Sequence, residues 1–273
     1  MNLALKLANY HSHTFRCQHA AEDVLSYVQA ARDAGMEIFG ASDHAALPDN
    51  RWPEVRMRFD ELDAYIEAVQ NAAQAVPQVQ VLLGMECEYI PEFHHYYADD
   101  LLGTRQFSYL IGAGHYTPYH GEWINSFVEL RTATHLRAYA QHLEEMMRTG
   151  LFAFIAHPDL FGAVQMSWTE EVAACSRDIL AAAVDTGTPL EINGYGLRKV
   201  PVSGAEGPRP PYPWRPFWDL AAEYPVQVVC NSDCHHPRDV VAGIRENQEL
   251  AASLGLALAD LSHLQPIAVN AHG

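Results

Sequence analysis

Short apolar runs alternate with segments of helical periodicity along the chain. Residues 3–8 alternate and are rich in leucine, which predicts a first strand ending near Tyr10. Between residues 21 and 34 the apolar positions recur at helical spacing and Gly35 follows as a stop, so a helix is predicted there. The same criteria predict further strands at 37–42, 79–85, 107–111, 151–156, 189–192 and 226–230. They predict further helices near 60–75, 136–146, 169–184 and 238–253.

Seven strands that alternate with helices predict a parallel sheet. Candidate chemistry falls at the C-terminal ends of most of these strands, and an α/β barrel gathers those ends around one mouth. We therefore predict a (β/α) barrel that forms a single domain over residues 1–273. An open doubly wound sheet, the alternative, would spread the strand ends along a line. Residues 200–216 are rich in proline and predict a long loop, because strand–helix alternation resumes directly after them.

Histidines cluster just after the first predicted strand. His11 and His13 are two residues apart, so they project to the same side of a strand end, and His19 follows in the next loop. Two neutral imidazoles on one side form half of a ligand shell for a divalent metal. The chain has 15 histidines, so this spacing alone would also fit chance or packing. Recurrence at later strand ends favours a metal site, which also draws on Asp43, His44, Glu86, His115, His157, Asp233 and His235.

Composition narrows the classes of function. The formal charge of −17 argues against a nucleic-acid binder and against binding to an anionic membrane surface. No apolar run reaches the roughly 18 residues of a membrane span, and the N-terminal residues lack the order of a signal peptide. The five cysteines are scattered without a disulfide spacing, which predicts a reducing, cytoplasmic location.

Several ordered motifs together resemble one known family, and they span nearly the whole chain. The matching pieces are His11-x-His13-Thr14 with Cys17-x-His19, Ser42-Asp43-His44, Gly84-Met85-Glu86, His115, His157-Pro158-Asp159, Glu191-Ile192-Asn193 with Gly196-Leu197-Arg198-Lys199, and Asn231-Ser232-Asp233-x-His235. The chain resembles the PHP (polymerase and histidinol phosphatase) family, and most of all its stand-alone histidinol phosphatase branch. The resemblance implies a distorted, seven-stranded, TIM-like (β/α)7 barrel with the metal site at the C-terminal ends of the strands.

The resemblance also implies three divalent ions. One would be bound by His11, His13, Glu86 and Asp233, a second by Glu86, His115 and His157, and a third by His19, His44 and His235. Nitrogen-rich ligand sets suit zinc, manganese or iron better than magnesium or calcium. The implied activity is hydrolysis of phosphoric monoesters by a metal-bridging hydroxide, with L-histidinol phosphate, of histidine biosynthesis, as the expected substrate. Glu86, Asp233 and His235 are the expected catalytic residues.

Three other side chains are candidates for binding the substrate. Arg198 is the first choice for binding phosphate with its planar fork, and the alternative is a loop arginine that faces solvent. Arg16 is a weaker second candidate, and His120 a third. The stretch 116–123 around His120 is not typical of histidinol phosphatases, so the identity of the substrate stays open. Glu88 and Asp159 could orient ligand histidines, and Cys17, Cys230 and Cys234 are expected to pack near the ligands.

Four alternatives remain at the level of sequence. The protein could act on another small phosphorylated metabolite or a nucleotide, or it could be a phosphodiesterase or nuclease, although no polymerase module is present and the acidic charge disfavours a nucleic-acid groove. An amidohydrolase shares the barrel plan but uses a carboxylated lysine, and no lysine lies at a strand end beside the candidate ligands. A metal-stabilised binding barrel without activity is the non-enzymatic alternative. The sequence leaves the oligomeric state undetermined.

Overall fold

The computed structural model describes residues 7–205 and 207–267. The α-helices in this part of the chain are α1 Val24–Asp33, α2 Leu62–Ala75, α3 Ser126–Glu129, α4 Ala133–Arg148, α5 Glu170–Thr186, α6 Arg215–Ala221 and α7 Ile244–Leu254, and a π-helix spans Tyr96–Thr104. The strands are β1 Ala8–Asn9, β2 Ile38–Ala41, β3 Gln80–Cys87, β4 Tyr109–Gly112, β5 Tyr116–Tyr119, β6 Glu122–Asn125, β7 Phe154–Ile155, β8 Leu190–Asn193, β9 Val202–Gly204, β10 Gly207–Arg209, β11 Gln227–Asn231 and β12 Ala257–Leu258. None of the described helices has the length and apolar character needed to cross a membrane.

The described chain divides into two compact units. The first contains the described residues up to Leu110, the segment Asn231–Ala242 and the residues from Leu261 onward. The second contains Ile111–Cys230 and Gly243–Asp260. That residues 1–273 form a single domain stays a prediction.

In the first unit, parallel strands follow the order β1-β2-β3-β4. Ala8 pairs with Ile38, and Phe39 pairs with Val81. Beyond β1 the chain also bridges to the segment after β11, because His13 N donates to Cys234 O at 2.9 Å. The continuation of β1 and the segment after β11 therefore lie side by side.

A tyrosine packs across these strands where two glycines leave room. A Cβ on Gly40 would collide with the hydroxyl of Tyr109, and a Cβ on Gly84 would collide with its ring. The Tyr109 hydroxyl donates to the carbonyl of Tyr10 at 2.6 Å, directly before His11. The two glycines thus admit a phenol that fixes the backbone at the start of the histidine-rich segment.

In the second unit, the strand order is β4-β7-β8-β11-β12. Ile111 pairs with Phe154, and Ile155 pairs with Leu190, both in parallel. Strand β8 is buried along its whole length, as expected for a parallel strand covered on both faces. Two antiparallel hairpins, β5–β6 and β9–β10, lie outside this sheet.

The long helices of this unit follow their sequence signals. On α4 the predicted apolar stripe is buried, at Leu136, Tyr139, Leu143 and Met146. Helix α5 begins after Thr169, whose side chain accepts from Val172 N, and it ends at Gly187 with φ near +68°. Both helices therefore form where periodicity and capping residues predict them.

Several predicted boundaries are corrected by the structure. The third strand extends to Cys87, so Glu86 lies within β3 rather than after it. The stretch 116–123 is mostly the hairpin β5–β6, and residues 200–216 include the hairpin β9–β10 and the start of α6. The last helix begins at Ile244, and β12 adds a further strand beside β11. Most of the predicted strand at residues 3–8 lies outside the described residues.

Candidate metal centre

The first unit brings seven of the predicted ligands together. β1 leads into His11 and His13, β2 leads into His44, and β3 contains Glu86. The remaining three are His19, Asp233 and His235. Backbone pairing explains part of this convergence, because His44 bridges to Glu86 and Ser12 bridges to Cys234. Adjacent parallel strands therefore deliver consecutive ligands to one place.

His11 and His13 are fully buried with two carboxylates. Their Nε2 atoms are 3.1 Å apart. Glu86 Oε1 lies 3.3 Å from His11 Nε2, and Asp233 Oδ1 lies 3.0 Å from His13 Nε2. Two nitrogens that bind zinc at about 2.0–2.1 Å in tetrahedral geometry are about 3.3 Å apart. The spacing of these imidazoles thus fits a shared cation.

The ionisation of this group is set by burial and by the two carboxylates. Burial lowers the pKa of His13, but the hydrogen bonds of its ring to Asp233 and Asp43, with the charges of Asp233 and Glu86, outweigh burial and raise the pKa to about 9. Burial acts to raise the pKa of Asp233, but His11 and His13 hold it well below its ordinary value. Buried carboxylates of this kind attract a positive charge, which a metal ion would supply in place of the proton on His13.

His19 and His235 form the second pair of imidazoles in this unit. His19 Nδ1 lies 2.6 Å from the carbonyl of Cys17, and His235 Nδ1 lies 3.1 Å from the carbonyl of Asp233. A carbonyl only accepts, so each Nδ1 bears the proton and each neutral ring presents a lone pair at Nε2. The two Nε2 atoms are 3.1 Å apart.

Neither ring of this pair readily becomes an imidazolium. Partial burial and the charge of His13 lower the pKa of His19, and burial and the same charge hold the pKa of His235 well below its usual range. At neutral pH two lone pairs therefore face each other across 3.1 Å. This arrangement fits a cation between the two nitrogens, and it is the clearest observation in the structure that favours a metal.

Two further side chains complete the cluster in the first unit. His44 Nδ1 lies 2.9 Å from Glu86 Oε2, and burial holds the pKa of His44 well below its ordinary value. Asp43 is fully buried, accepts from the backbone N and the hydroxyl of Thr14, and lies 3.5 Å from His13 Nδ1. Asp43 thus holds the loop that follows His13 and places a carboxylate beside the His13 ring.

In the second unit, the ring of His115 lies next to the ring of His157. Their Nε2 atoms are 3.2 Å apart, close to the spacing expected of two ligands on one ion. The ring of His115 also stacks on Phe127, with centroids 5.7 Å apart. The backbone N of His157 donates to Glu191 Oε2 at 3.1 Å, and that oxygen also accepts from Asn193 at 2.8 Å.

Arg198 lies close in sequence to Glu191 and Asn193, which support the backbone of His157. Asn193 Oδ1 accepts from Tyr195 N at 2.7 Å and from Gly196 N at 3.3 Å. The short helix Gly196–Arg198 begins there, and Arg198 Nη1 donates to the carbonyl of Gly194 at 3.0 Å. The half-buried Arg198 guanidinium lies 5.3 Å from the centroid of the Tyr195 ring. Asn193 thus links the support of His157 to the segment that holds Arg198.

The other predicted substrate contacts are placed differently. Arg16 is buried and paired through both of its terminal nitrogens with Asp23. His120 is exposed at the turn of the β5–β6 hairpin, where its ring contacts Tyr119. In the described contacts, neither Arg16 nor His120 touches a histidine pair of its own unit. Their roles in substrate binding stay predictions.

Glu88 and Asp159 have partners other than ligand histidines. Glu88 is buried and paired with Arg56. Asp159 accepts from Trp214 N at 2.5 Å and from Trp218 Nε1 at 3.0 Å, and burial raises its pKa to about 6. The carboxylates that lie beside ligand histidines are instead Asp43, next to the His13 ring, and Glu191, which accepts from the backbone N of His157. The sequence predicted Asp43 as part of the metal site, and it placed Glu191 in a matching motif without indicating what it binds.

Comparison with known proteins identifies the family. The family model described as the PHP domain matches residues 9–194. A curated protein of Deinococcus radiodurans, named probable histidinol-phosphatase, is 32% identical over 244 residues, covering 86% of this chain and 88% of that protein. The chain belongs to the PHP family.

Two solved structures resemble this PHP protein throughout. The putative histidinol phosphatase of Listeria monocytogenes has a TM-score of 0.71 at 18% identity, over 88% of this chain and 99% of the other. The histidinol phosphate phosphatase of Lactococcus lactis, solved with zinc, L-histidinol and phosphate, has a TM-score of 0.70 at 16% identity, over 96% and 99%. The predicted α/β, TIM-like barrel fold is thereby confirmed.

The donor set of this PHP protein fits a divalent transition metal. Imidazole nitrogens outnumber carboxylates in the cluster of the first unit, and the pair in the second unit is imidazole alone. Such sets favour zinc, iron or manganese over calcium and magnesium. The number of ions and their identity belong to the proposal that follows.

Proposed function

We propose that this protein is a metal-dependent phosphomonoesterase whose substrate is L-histidinol phosphate. Three findings support this function. The chain belongs to the PHP family, a curated relative is named as a probable histidinol-phosphatase, and a structural neighbour was solved with zinc, L-histidinol and phosphate. The single observation that carries this proposal is the pair His19 and His235. Their Nε2 atoms are 3.1 Å apart with lone pairs facing each other, which favours a cation between them. The histidine pathway is the expected setting of the activity.

We assign about three divalent ions, as zinc, manganese or iron, to the nine predicted ligands. The first ion takes His11, His13, Glu86 and Asp233, and the others draw on the remaining histidines, which are His19, His44, His115, His157 and His235. Glu86 is the proposed bridge between two of the ions. The five free, buried thiols fit the reducing cytoplasm in which we place the enzyme.

The residues of this chain then have distinct tasks. When bound, divalent ions would activate water and neutralise charge on the phosphate. Glu86 and Asp233 supply the negative charge that retains them, and the carbonyls of Cys17 and Asp233 hold the rings of His19 and His235 in the binding tautomer. Arg198 is the proposed fork for the phosphate oxygens, because a guanidinium matches them with two parallel hydrogen bonds.

A panel of phosphate esters tests this function. Metal-reconstituted protein is assayed for phosphate release from L-histidinol phosphate, from an aryl phosphate, from other phosphorylated metabolites and from an aryl phosphodiester. We expect the highest kcat/KM with L-histidinol phosphate. His11→Ala and His115→Ala should each lower kcat by about 100-fold or more, since each removes a proposed ligand. His95→Ala is the matched control, because His95 is exposed and its described contacts are with Asp99 and the ring of His94, neither of which is a proposed ligand.

Other results of the phosphate-ester panel would indicate a different substrate or a different function. A higher kcat/KM with another monoester would keep the phosphatase but replace its substrate. Faster turnover of the diester than of any monoester would replace the phosphatase with a phosphodiesterase. No turnover of any ester by metal-loaded protein would reject an enzymatic function and favour a metal-stabilised binding barrel.

A further inference from the structure

The thiol of Cys17 lies inside the cluster of the first unit. Its Sγ and ring nitrogens of His19 and His235 all lie within 4.8 Å of one another. Cys17 also forms a group of this size with His13 and Asp43. The side chain is fully buried, although His19 is exposed at the rim of the cluster. Four potential metal ligands therefore surround one thiol.

The local backbone explains why the thiol and His19 converge. Phe15–Cys17 is a short 3₁₀ helix, and Gln18 after it has φ near +68°, which reverses the chain. The reversal brings His19 Nδ1 within 2.6 Å of the Cys17 carbonyl, so the backbone of Cys17 fixes the ring of His19. Cys17 thus holds the His19 ring through its carbonyl, and its sulfur lies within 4.8 Å of a nitrogen of the same ring.

His44 is the alternative third ligand beside His19 and His235. Its Nδ1 lies 2.9 Å from Glu86 Oε2, and His44 forms a compact group with His13 and His235 rather than with His19 and His235. The centroids of the His19 and His44 rings are 5.4 Å apart, whereas those of His19 and His235 are 4.8 Å apart. Cys17 lies with the pair His19 and His235 in one compact group, so sulfur is well placed to complete their ligand set.

We propose that Cys17 binds the divalent ion held by His19 and His235, and that its sulfur makes this position selective for zinc. As the metal–sulfur bond forms, the thiol proton leaves to solvent and the sulfur binds as thiolate. Thiolate prefers zinc and cobalt to manganese and magnesium more strongly than the carboxylate-containing set of His11, His13, Glu86 and Asp233 does. The inference shares the metal centre of the proposed function but does not depend on any phosphatase activity.

Cobalt(II) as a spectroscopic probe tests the sulfur ligand directly. Metal-free protein is titrated with cobalt, and the near-ultraviolet spectrum is recorded for the sulfur-to-cobalt charge-transfer band. We expect the band in the wild type and its loss in Cys17→Ser, which preserves side-chain volume. Cys234→Ser should keep the band, which excludes the buried thiol between the proposed ligands Asp233 and His235. Cys175→Ser on α5 is the matched control for removing a buried thiol elsewhere.

Competition between metals tests the selectivity. Replacing Cys17 by serine should weaken zinc binding at one position by on the order of 10- to 100-fold and leave manganese binding within about twofold. Circular dichroism of Cys17→Ser checks that the fold is retained. The cobalt spectrum of the wild type tests the sulfur ligand without any variant.

Two results would overturn the proposal. One is a wild-type protein that binds cobalt without the charge-transfer band. The other is a band that persists in Cys17→Ser. In both cases, continued phosphate release from L-histidinol phosphate would leave the proposed function standing, so the two failures are distinguishable. A protein that binds no cobalt would contradict both.

Discussion

Backbone carbonyls decide which nitrogen of the cluster histidines can bind a cation. The carbonyls of Cys17 and Asp233 accept from Nδ1 of His19 and His235, which leaves both Nε2 atoms as electron-pair donors. These contacts span only two residues each, so the same short loops that supply the ligands also set their tautomers. This local coupling makes the metal assignment more specific than histidine spacing alone.

Glu86 is the residue whose replacement should matter most for metal binding. Its two oxygens lie 3.3 Å from His11, 3.5 Å from His13 and 2.9 Å from His44. Glu86→Gln keeps the shape but removes the charge and one donor oxygen. We predict the loss of at least one metal and a fall in kcat of about 10³-fold, a barrier increase of roughly 4 kcal/mol. Elemental analysis and steady-state kinetics check this.

Glu88→Gln is the matched control for Glu86→Gln. Glu88 is equally buried and two residues away, but it pairs with Arg56. Breaking a buried ion pair should lower the free energy of unfolding by up to roughly 3 kcal/mol and leave the metal content unchanged. Normal metal content and rate in Glu86→Gln, with both lost in Glu88→Gln, would show that the ligand assignment is wrong.

Arg198 offers a test of phosphate binding that is separate from the metals. Removing one charged hydrogen bond costs about 1.5–3 kcal/mol, so Arg198→Ala should lower kcat/KM for phosphate esters by roughly 10- to 150-fold. The change should appear mainly as a higher KM, with metal content unaltered. Arg177→Ala is the control, since Arg177 is a partly exposed arginine paired with Glu170. Unchanged kinetics in Arg198→Ala would remove this residue from the site.

At the scale of elements, strand β8 supports two parts of the site at once. Glu191 accepts from the backbone of His157, while Asn193 bonds both Glu191 and the first residues of the Arg198-bearing turn. Both side chains are fully buried. The C-terminal end of β8 thus supports the backbone of a metal-ligand candidate and the start of the phosphate-binding segment together.

Asn193→Ala should therefore loosen the segment that carries Arg198. The variant loses hydrogen bonds worth about 1 kcal/mol each, and we predict a rise in KM of about tenfold with a smaller change in kcat. Asn247→Ala is the matched control. Asn247 is also buried and also bonds β8, but through the carbonyl of Ile192. An equal rise in KM in both variants would show that Asn193 has only a structural role.

The sequence predicted the strands, and the clustering of polar side chains at their ends, better than the contacts between distant segments. Hydrophobic periodicity and the residue types at strand ends placed Glu86 and His44 near His11 and His13 because those patterns are local. The partner of Glu88 is Arg56, 32 residues away, and no local pattern predicts such a pair. The hairpin β5–β6 was missed for a similar reason, because Pro118 and the polar residues around it favour a loop until the antiparallel pairing is seen.

At the scale of the whole molecule, charge and metal binding are linked. The chain has a formal charge of −17, and the first unit concentrates buried carboxylates and imidazoles in one cluster. Divalent cations would offset part of this charge and would offer an anionic phosphate a positive target within a negative surface. The acidic composition therefore fits an enzyme that attracts its substrate through its metals.

The central claim is that phosphate release depends on a centre of several divalent ions. It is tested by adding zinc or manganese back to metal-free protein and measuring phosphate release from L-histidinol phosphate at each step. We predict no release without metal and a rate that rises until about three ions are bound per chain. Release that survives complete removal of the metals, or that reaches its maximum with one ion or fewer per chain, would contradict the account.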